Sequence, residues 1–176
     1  MKISKPLKCQ SLIRDIPDFP QPGILFRDIT PVLAAPDAFQ ELRARLGEEA
    51  REFNPDKVLG IESRGFLVGA PIALDLGLGF VLARKEGKLP HKKIRCEYAL
   101  EYGSNVLEVH ADQIIPGERV LIVDDLLATG GTANAAAQMV TDLGAIVAGF
   151  LFFIELEFLQ GRKVLAGHKV VSLVQY

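Results

Sequence analysis

Arg119-Val120-Leu121-Ile122-Val123-Asp124-Asp125-Leu126-Leu127-Ala128-Thr129-Gly130-Gly131-Thr132 is the stretch that decides the fold. The continuous apolar run from Val120 to Val123 reads as a strand buried on both faces, the mark of a parallel sheet covered by helices. Two acids end the run, and a turn of small residues then opens a helix predicted over Thr132 to Leu143. In such sheets the carboxyl ends of the strands face the ligand crevice. Glycines at the turn let backbone N–H groups approach a phosphate closely. Thr129 and Thr132 add hydroxyl donors, and the positive end of the helix dipole favours the anion. Asp124 and Asp125 suit another part of the same ligand, because vicinal carboxylates can accept from ribose hydroxyls or hold the hydrated shell of Mg²⁺. Neighbouring side chains on a strand point opposite ways, so at most one acid faces the ligand squarely unless the chain already turns at Asp125.

Working outward, the same alternation recurs. Lys57 to Ile61 leads into a helix over Gly65 to Leu76, and Phe80 to Ala83 leads into a basic loop. Ile146 to Ile154 and Lys169 to Val174 supply later strands. The fold class is therefore α/β: a doubly wound, mainly parallel central sheet with helices on both faces. Ile94 to Tyr98 and Asn105 to Val109 read as a polar hairpin with little to bury. Phe39, Leu42 and Leu46 fall at helical spacing in a segment that starts at Pro36 and ends near Phe53, where Asn54-Pro55 stops it. Before it lies a proline-rich arm, with at most a short helix around Gln10 to Asp15.

At 176 residues with 49% hydrophobic content, one domain with a full core is expected, without a disulfide or structural metal. The formal net charge of −2 argues against the broad basic footprint of a nucleic-acid binder, so an anionic ligand has to be met locally. Cys9 and Cys96 form no Cys-x-x-Cys pair. With no secretory leader and no uncharged membrane span in the sequence, a reducing, cytoplasmic setting and no membrane partner are expected. Cations concentrate at Arg84, Lys85, Lys88, His91, Lys92 and Lys93, which suits neutralising a diphosphate, although a solvated basic loop would look the same. Arg64 follows the Lys57 to Ile61 strand and can reach the same sheet edge, where a guanidinium chelates diphosphate oxygens.

Two other phosphate-binding loops fail here. A Walker-type loop needs Gly-Lys-Ser or Gly-Lys-Thr, and no lysine follows Gly131; the dinucleotide pattern Gly-x-Gly-x-x-Gly is absent. The run of four hydrophobics, two aspartates and Ala128-Thr129-Gly130-Gly131-Thr132 instead resembles the phosphoribosyl diphosphate signature of type I phosphoribosyltransferases. Phe26-Arg27-Asp28-Ile29-Thr30-Pro31, Glu62-Ser63-Arg64-Gly65-Phe66, Arg84-Lys85-Glu86-Gly87-Lys88-Leu89-Pro90 and Leu100-Glu101-Tyr102-Gly103 resemble motifs of the adenine-using branch of that family, in family order along nearly the whole chain.

The resemblance implies a single domain over 1–176, with an N-terminal hood at 1–34 and a mobile β-hairpin lid at 87–109. It implies transfer of the phosphoribosyl group of phosphoribosyl diphosphate to adenine, giving AMP and pyrophosphate, with Mg²⁺ as cofactor and a homodimer as the assembly. By the same resemblance Ser63, Arg64, Gly65, Arg84, Lys85 and Lys88 bind pyrophosphate, in a loop that often holds a non-proline cis peptide. Asp124, Asp125 and Ala128 to Thr132, including Thr129, Gly130 and Gly131, hold the phosphoribosyl group. Leu25, Phe26, Arg27 and Leu156 contact the base, Tyr98, Glu101 and Tyr102 belong to the lid, and Glu101 handles a ring-nitrogen proton. Alternative readings keep the sugar-phosphate site but give it another base, or make the chain a non-catalytic sensor of phosphoribosyl diphosphate. Two departures stand out: Glu86 within the basic loop, and Ile94-Arg95-Cys96 in the hairpin.

Overall fold

The computed structural model of the chain describes residues 7–99 and 104–176. Its N-terminal unit, Met1–Arg45, opens with a 3₁₀ turn, Lys8–Leu12. The carboxylate of Glu41 accepts from the backbone N–H groups of Lys8 and Cys9 at 3.1 and 2.7 Å, which satisfies donors that a short turn leaves over. The helix expected over Gln10 to Asp15 stops at Leu12. Ile13 is already extended, and from Arg14 the chain joins β1 (Arg14–Pro17), which pairs antiparallel with β2 (Leu25–Asp28). Cross-strand pairing outweighs local helix preference there. Arg27 and Asp15, opposite one another, form an ion pair.

Asp28 closes this hairpin. It accepts from the Thr30 backbone N–H at 2.9 Å and from Arg14 Nη2 at 2.6 Å. The Thr30 bond first, and Arg14 next, hold its carboxyl down to about 2. Next come α1 (Thr30–Ala34) and α2 (Pro36–Arg51). The predicted stripe on α2 is present, with Leu42 and Leu46 buried and Phe39 half-buried. The division between the two units falls inside α2, at Arg45.

The second unit, Leu46–Tyr176, contains β3 (Lys57–Ile61), α3 (Arg64–Leu76), β4 (Gly79–Lys85), β5 (Lys93–Ala99), β6 (Ser104–His110) and β7 (Arg119–Leu127). It continues with α4 (Gly131–Asp142), β8 (Ile146–Glu155), α5 (Gly161–Val164) and β9 (Val170–Gln175). Among the described residues, seven strands form one sheet in the order β5-β6-β4-β3-β7-β8-β9. The run from β4 through β3, β7 and β8 to β9 is parallel; β6 is antiparallel to β4 and β5. This is the α/β sheet flanked by helices that the apolar runs predict.

β3 and β7 lie side by side at its centre, and Val58, Leu59, Ile61 and Val120 to Val123 are all buried. On α4 the small side chains of Ala133, Ala135, Ala136 and Ala137 are buried, which lets the helix lie close to its neighbours. Gly77, in the left-handed region at φ 67°, ends α3 by giving the backbone a conformation that other residues resist.

The hairpin departs from expectation. Leu107 and Val109 of β6 are fully buried, and Ile94, Cys96 and Tyr98 of β5 pack against the same core. Far from having little to bury, its base extends the sheet, and β5 packs against α4. Alternation hid this, because the apolar residues of β6 are interleaved with Asn105, Glu108 and His110. No helix among the described residues is long and apolar enough to cross a membrane.

Candidate active site

β7 runs through both acids and ends at Leu127, four residues beyond the apolar run. The ladder to β8 continues past them, with Asp124 opposite Phe152 and Leu126 opposite Ile154. The acids therefore sit on a rigid strand rather than on a turn. Asp125 is 4% exposed and receives the Nε–H of Arg64 at 2.6 Å. Its backbone N–H donates to Asp124 Oδ1 at 2.9 Å. Asp124 is only half-buried. Burial first, and the charge of Asp125 next, push its carboxyl well above the usual carboxylate range.

Arg64 reaches Asp125 because α3 starts hard against β7. The close approach depends on Gly65: a Cβ there would lie 2.8 Å from the Val123 carbonyl oxygen and 2.9 Å from Asp124 Oδ1. The peptide between Glu62 and Ser63, at the end of β3, is cis. Ser63, Arg64, Lys85, Tyr98, Asp124, Asp125 and Thr132 line a cavity of about 310 Å³, together with Glu62, Asn105, Leu107 and Leu126.

A recess of about 70 Å³ shares Asp124, Leu126 and Thr132 with that cavity and is otherwise walled by Leu127, Ala128, Thr129, Gly130, Ala133 and Phe152. Gly130, at φ 86°, is the N-cap of α4, and no side-chain oxygen caps that helix. An anion in the recess would meet uncapped N–H groups and the positive end of the helix dipole.

Arg84 and Lys88, expected at the diphosphate, are engaged elsewhere. Glu62, whose side chain is 7% exposed, receives Lys88 Nζ at 2.6 Å, the Lys85 N–H at 2.9 Å and Arg84 Nε at 3.2 Å. Burial pushes the Glu62 carboxyl up, but Lys88, Lys85 and Arg84 together outweigh it and hold it at about 2. On the other side of the loop the buried Glu108 takes Lys93 Nζ at 2.8 Å and the Gly87 N–H at 3.0 Å. Two buried carboxylates thus clamp the basic loop, with Lys85 as its member in the cavity wall. The two departures noted in the sequence compensate each other: Glu86 and Arg95 form an exposed ion pair at 2.7 Å.

The remaining predicted residues are spread out. Leu25, Phe26 and Arg27 lie on β2 of the N-terminal unit, where the Phe26 ring meets Phe19 edge to face at 5.2 Å. Leu156 follows β8, and its N–H donates to the Leu127 carbonyl at 2.9 Å. Glu101 and Tyr102 lie outside the described residues. Sequence reading passed over Glu62, Glu108 and Asn105. Glu62 had a signal, an acid at the end of an apolar run and two residues before Arg64, whereas Asn105 and Glu108 become visible only once β6 joins the sheet. Among the described residues no cluster of three or more His, Cys, Asp or Glu side chains is arranged to hold a metal.

The family profile described as "Phosphoribosyl transferase domain" matches residues 28–167. The chain belongs to that family. Within it, the adenine phosphoribosyltransferase of Carboxydothermus hydrogenoformans is 57% identical over 164 residues, covering 93% of this chain and 96% of that protein. The crystal structure of adenine phosphoribosyltransferase from Thermoanaerobacter pseudethanolicus superposes with a TM-score of 0.93 at 49% identity, covering 96% of this chain and 98% of that one. The Saccharomyces cerevisiae enzyme, complexed with an imino-altritol bisphosphate and adenine, gives a TM-score of 0.86 at 42% identity, covering 94% and 97%. The matched span contains the Asp124–Asp125 strand and the Ala128–Thr132 segment, which contribute walls to the two cavities.

Proposed function

We propose that the chain transfers the 5-phosphoribosyl group of phosphoribosyl diphosphate to adenine, releasing AMP and pyrophosphate. The observation that carries this reading is the junction of the two cavities, where Asp124 and Thr132 line both. One side offers an uncapped helix start for the 5′-phosphate, the other Arg64 and Lys85 for the diphosphate. Asp124 and Asp125 stand between them, where ribose hydroxyls would lie.

In the proposed mechanism, the Ala128–Thr132 backbone and the hydroxyls of Thr129 and Thr132 grip the 5′-phosphate. Asp124 accepts from ribose hydroxyls while Arg64 holds Asp125 in place. Ser63, Arg64, Gly65 and Lys85 stabilise the charge that builds on the departing diphosphate, with Arg84 and Lys88 brought in from their Glu62 pairing. Most of the catalysis is positioning and charge stabilisation. The donor set fits Mg²⁺, since Asp124 is pushed toward its neutral form by burial first and by a second carboxylate next, and a nearby cation would relieve that. With two carboxylates as the protein's share, Asp124 and Asp125 would hold it through water or ribose hydroxyls. When bound, the ion supplies Lewis-acid help to the leaving diphosphate.

Adenine as the acceptor is supported by the relatives' names and by the yeast complex that contains it. On this reading Leu25, Phe26, Arg27 and Leu156 hold the base, Tyr98 and Tyr102 belong to the lid, and Glu101 handles the ring proton. We also propose a homodimer and a cytoplasmic setting, the latter in keeping with the free thiols of Cys9 and Cys96.

The test is turnover with phosphoribosyl diphosphate, Mg²⁺ and, in turn, adenine, hypoxanthine, guanine, xanthine and orotate. Adenine alone should react. Preference for another base would overturn the acceptor, and binding of phosphoribosyl diphosphate without turnover of any base would make the chain a sensor.

A further inference from the structure

The turn that holds the proposed 5′-phosphate site does not keep its own shape unaided. Gly130 sits at φ 86°, and a Cβ there would lie 2.6 Å from the Gly161 carbonyl oxygen and 3.2 Å from Val164 Cβ. In the other direction, a Cβ at Gly161 would strike the Ala128 carbonyl oxygen and come within 2.9 Å of Leu127 Cδ1. Two backbones therefore meet directly, with no room for a side chain on either. The start of α5 is the surface on which the turn rests.

α5 has only four residues, too few to hold itself in place. Arg162 holds it. Its Nε and Nη2 bind both oxygens of the buried Glu155 at 2.6 and 2.7 Å, and its Nη1 donates to the Val170 carbonyl at 2.9 Å. This forked geometry fixes a guanidinium in orientation as well as position. Leu165, buried in the core, anchors the far end. The chain from Glu155 to Leu165 thus leaves β8, passes under the turn and is riveted to β8 and β9.

We infer that Gly161 is a positioning residue for the 5′-phosphate, held in place by the Glu155–Arg162 ion pair, and that it sets the direction in which the 129–132 N–H groups point. The inference rests on the proposed reading of the recess as a 5′-phosphate site. Displacing the turn by a fraction of an ångström should weaken the grip on that phosphate more than on the diphosphate, because Ala128, Thr129 and Gly130 wall the recess, whereas the cavity that Arg64 and Lys85 line takes no wall from them or from α5.

The experiment compares Gly161→Ala, Arg162→Met and Arg162→Lys with the unaltered chain, using calorimetric titration of ribose 5-phosphate and, separately, of pyrophosphate, together with KM for phosphoribosyl diphosphate and for adenine. Misplacement of this size should cost Gly161→Ala about tenfold in affinity for ribose 5-phosphate. The KM for phosphoribosyl diphosphate should rise while pyrophosphate affinity stays level; the KM for adenine should change less, and only through Leu156, which follows Glu155. Arg162→Met should behave likewise and Arg162→Lys should recover part of the loss; if Gly161→Ala does not fold, this pair decides. Unchanged ribose 5-phosphate affinity, or equal losses for ribose 5-phosphate and pyrophosphate, would overturn the inference. If the unaltered chain binds neither ligand, the reading of the site fails instead, a result distinct from both.

Discussion

Replacing Glu62 by glutamine should remove a pH-dependent clamp from the centre of the site. Glu62 is 7% exposed on its side chain and gathers Lys88, the Lys85 N–H and Arg84. Although burial raises its carboxyl, these partners bring it from 4.5 to about 2. At about 1.4 kcal/mol for each tenfold change in proton affinity, that distance corresponds to about 3 kcal/mol of folding free energy. Lys88 is half-exposed and Arg84 partly so, and solvent screening of these cations reduces the figure to about 1–2 kcal/mol. Because the folded-state value is depressed, the stabilisation is complete above 4.5 and drains away as pH falls toward about 2. Urea unfolding of the two proteins over a pH series isolates it, since the other depressed carboxylates titrate in both. Glu62→Gln should be less stable by about 1–2 kcal/mol at neutral pH, and the gap should close on acidification. Two stability curves that run parallel through the acid range would refute the assignment.

Converting both Asp124 and Asp125 to asparagine should cut Mg²⁺-dependent turnover by more than about a hundredfold while the circular dichroism spectrum is kept; normal turnover would remove these acids from the mechanism. Gly65→Ala places a methyl at 2.8 Å from the Val123 carbonyl, about 0.6 Å inside the 3.4 Å where ordinary contact begins. Overpacking of that kind should cost about 1–3 kcal/mol in thermal or urea unfolding and part Arg64 from Asp125, so an unaltered melt and KM would count against the packing described. Leu107→Ala should cost about 2–5 kcal/mol, because the hairpin base belongs to the core; a loss near zero, as for a solvated hairpin, would contradict that.

Much of the scaffold was legible because apolar runs are unambiguous when a strand is buried on both faces. Lys57 to Ile61 matches β3 residue for residue, and α2 and α3 begin and end within two residues of expectation. Legibility failed where packing, not pattern, decides. β7 continues through Asp124 and Asp125 because Leu126 and Leu127 resume the ladder, and two acids conceal such a continuation. β6 alternates like a solvated strand, yet the sheet it joins buries Leu107 and Val109. In the site, the Asp-Asp and Gly-Gly signals stood out through local chemistry. Glu62, Glu108 and Gly161 act through partners 15 to 34 residues away in sequence, and no local pattern announces such contacts.

Asp124 also makes the middle of the sheet weaker than it need be. An acid whose folded-state value is raised above its ordinary 3.8 destabilises the fold increasingly as pH rises past that point, so at neutral pH the strand carries a standing deficit. A sequence selected for durability alone would place a neutral residue there. Asp124→Asn by itself should therefore unfold at higher temperature than the unaltered chain while losing turnover, the trade between endurance and activity expected where chemistry occupies a structural position.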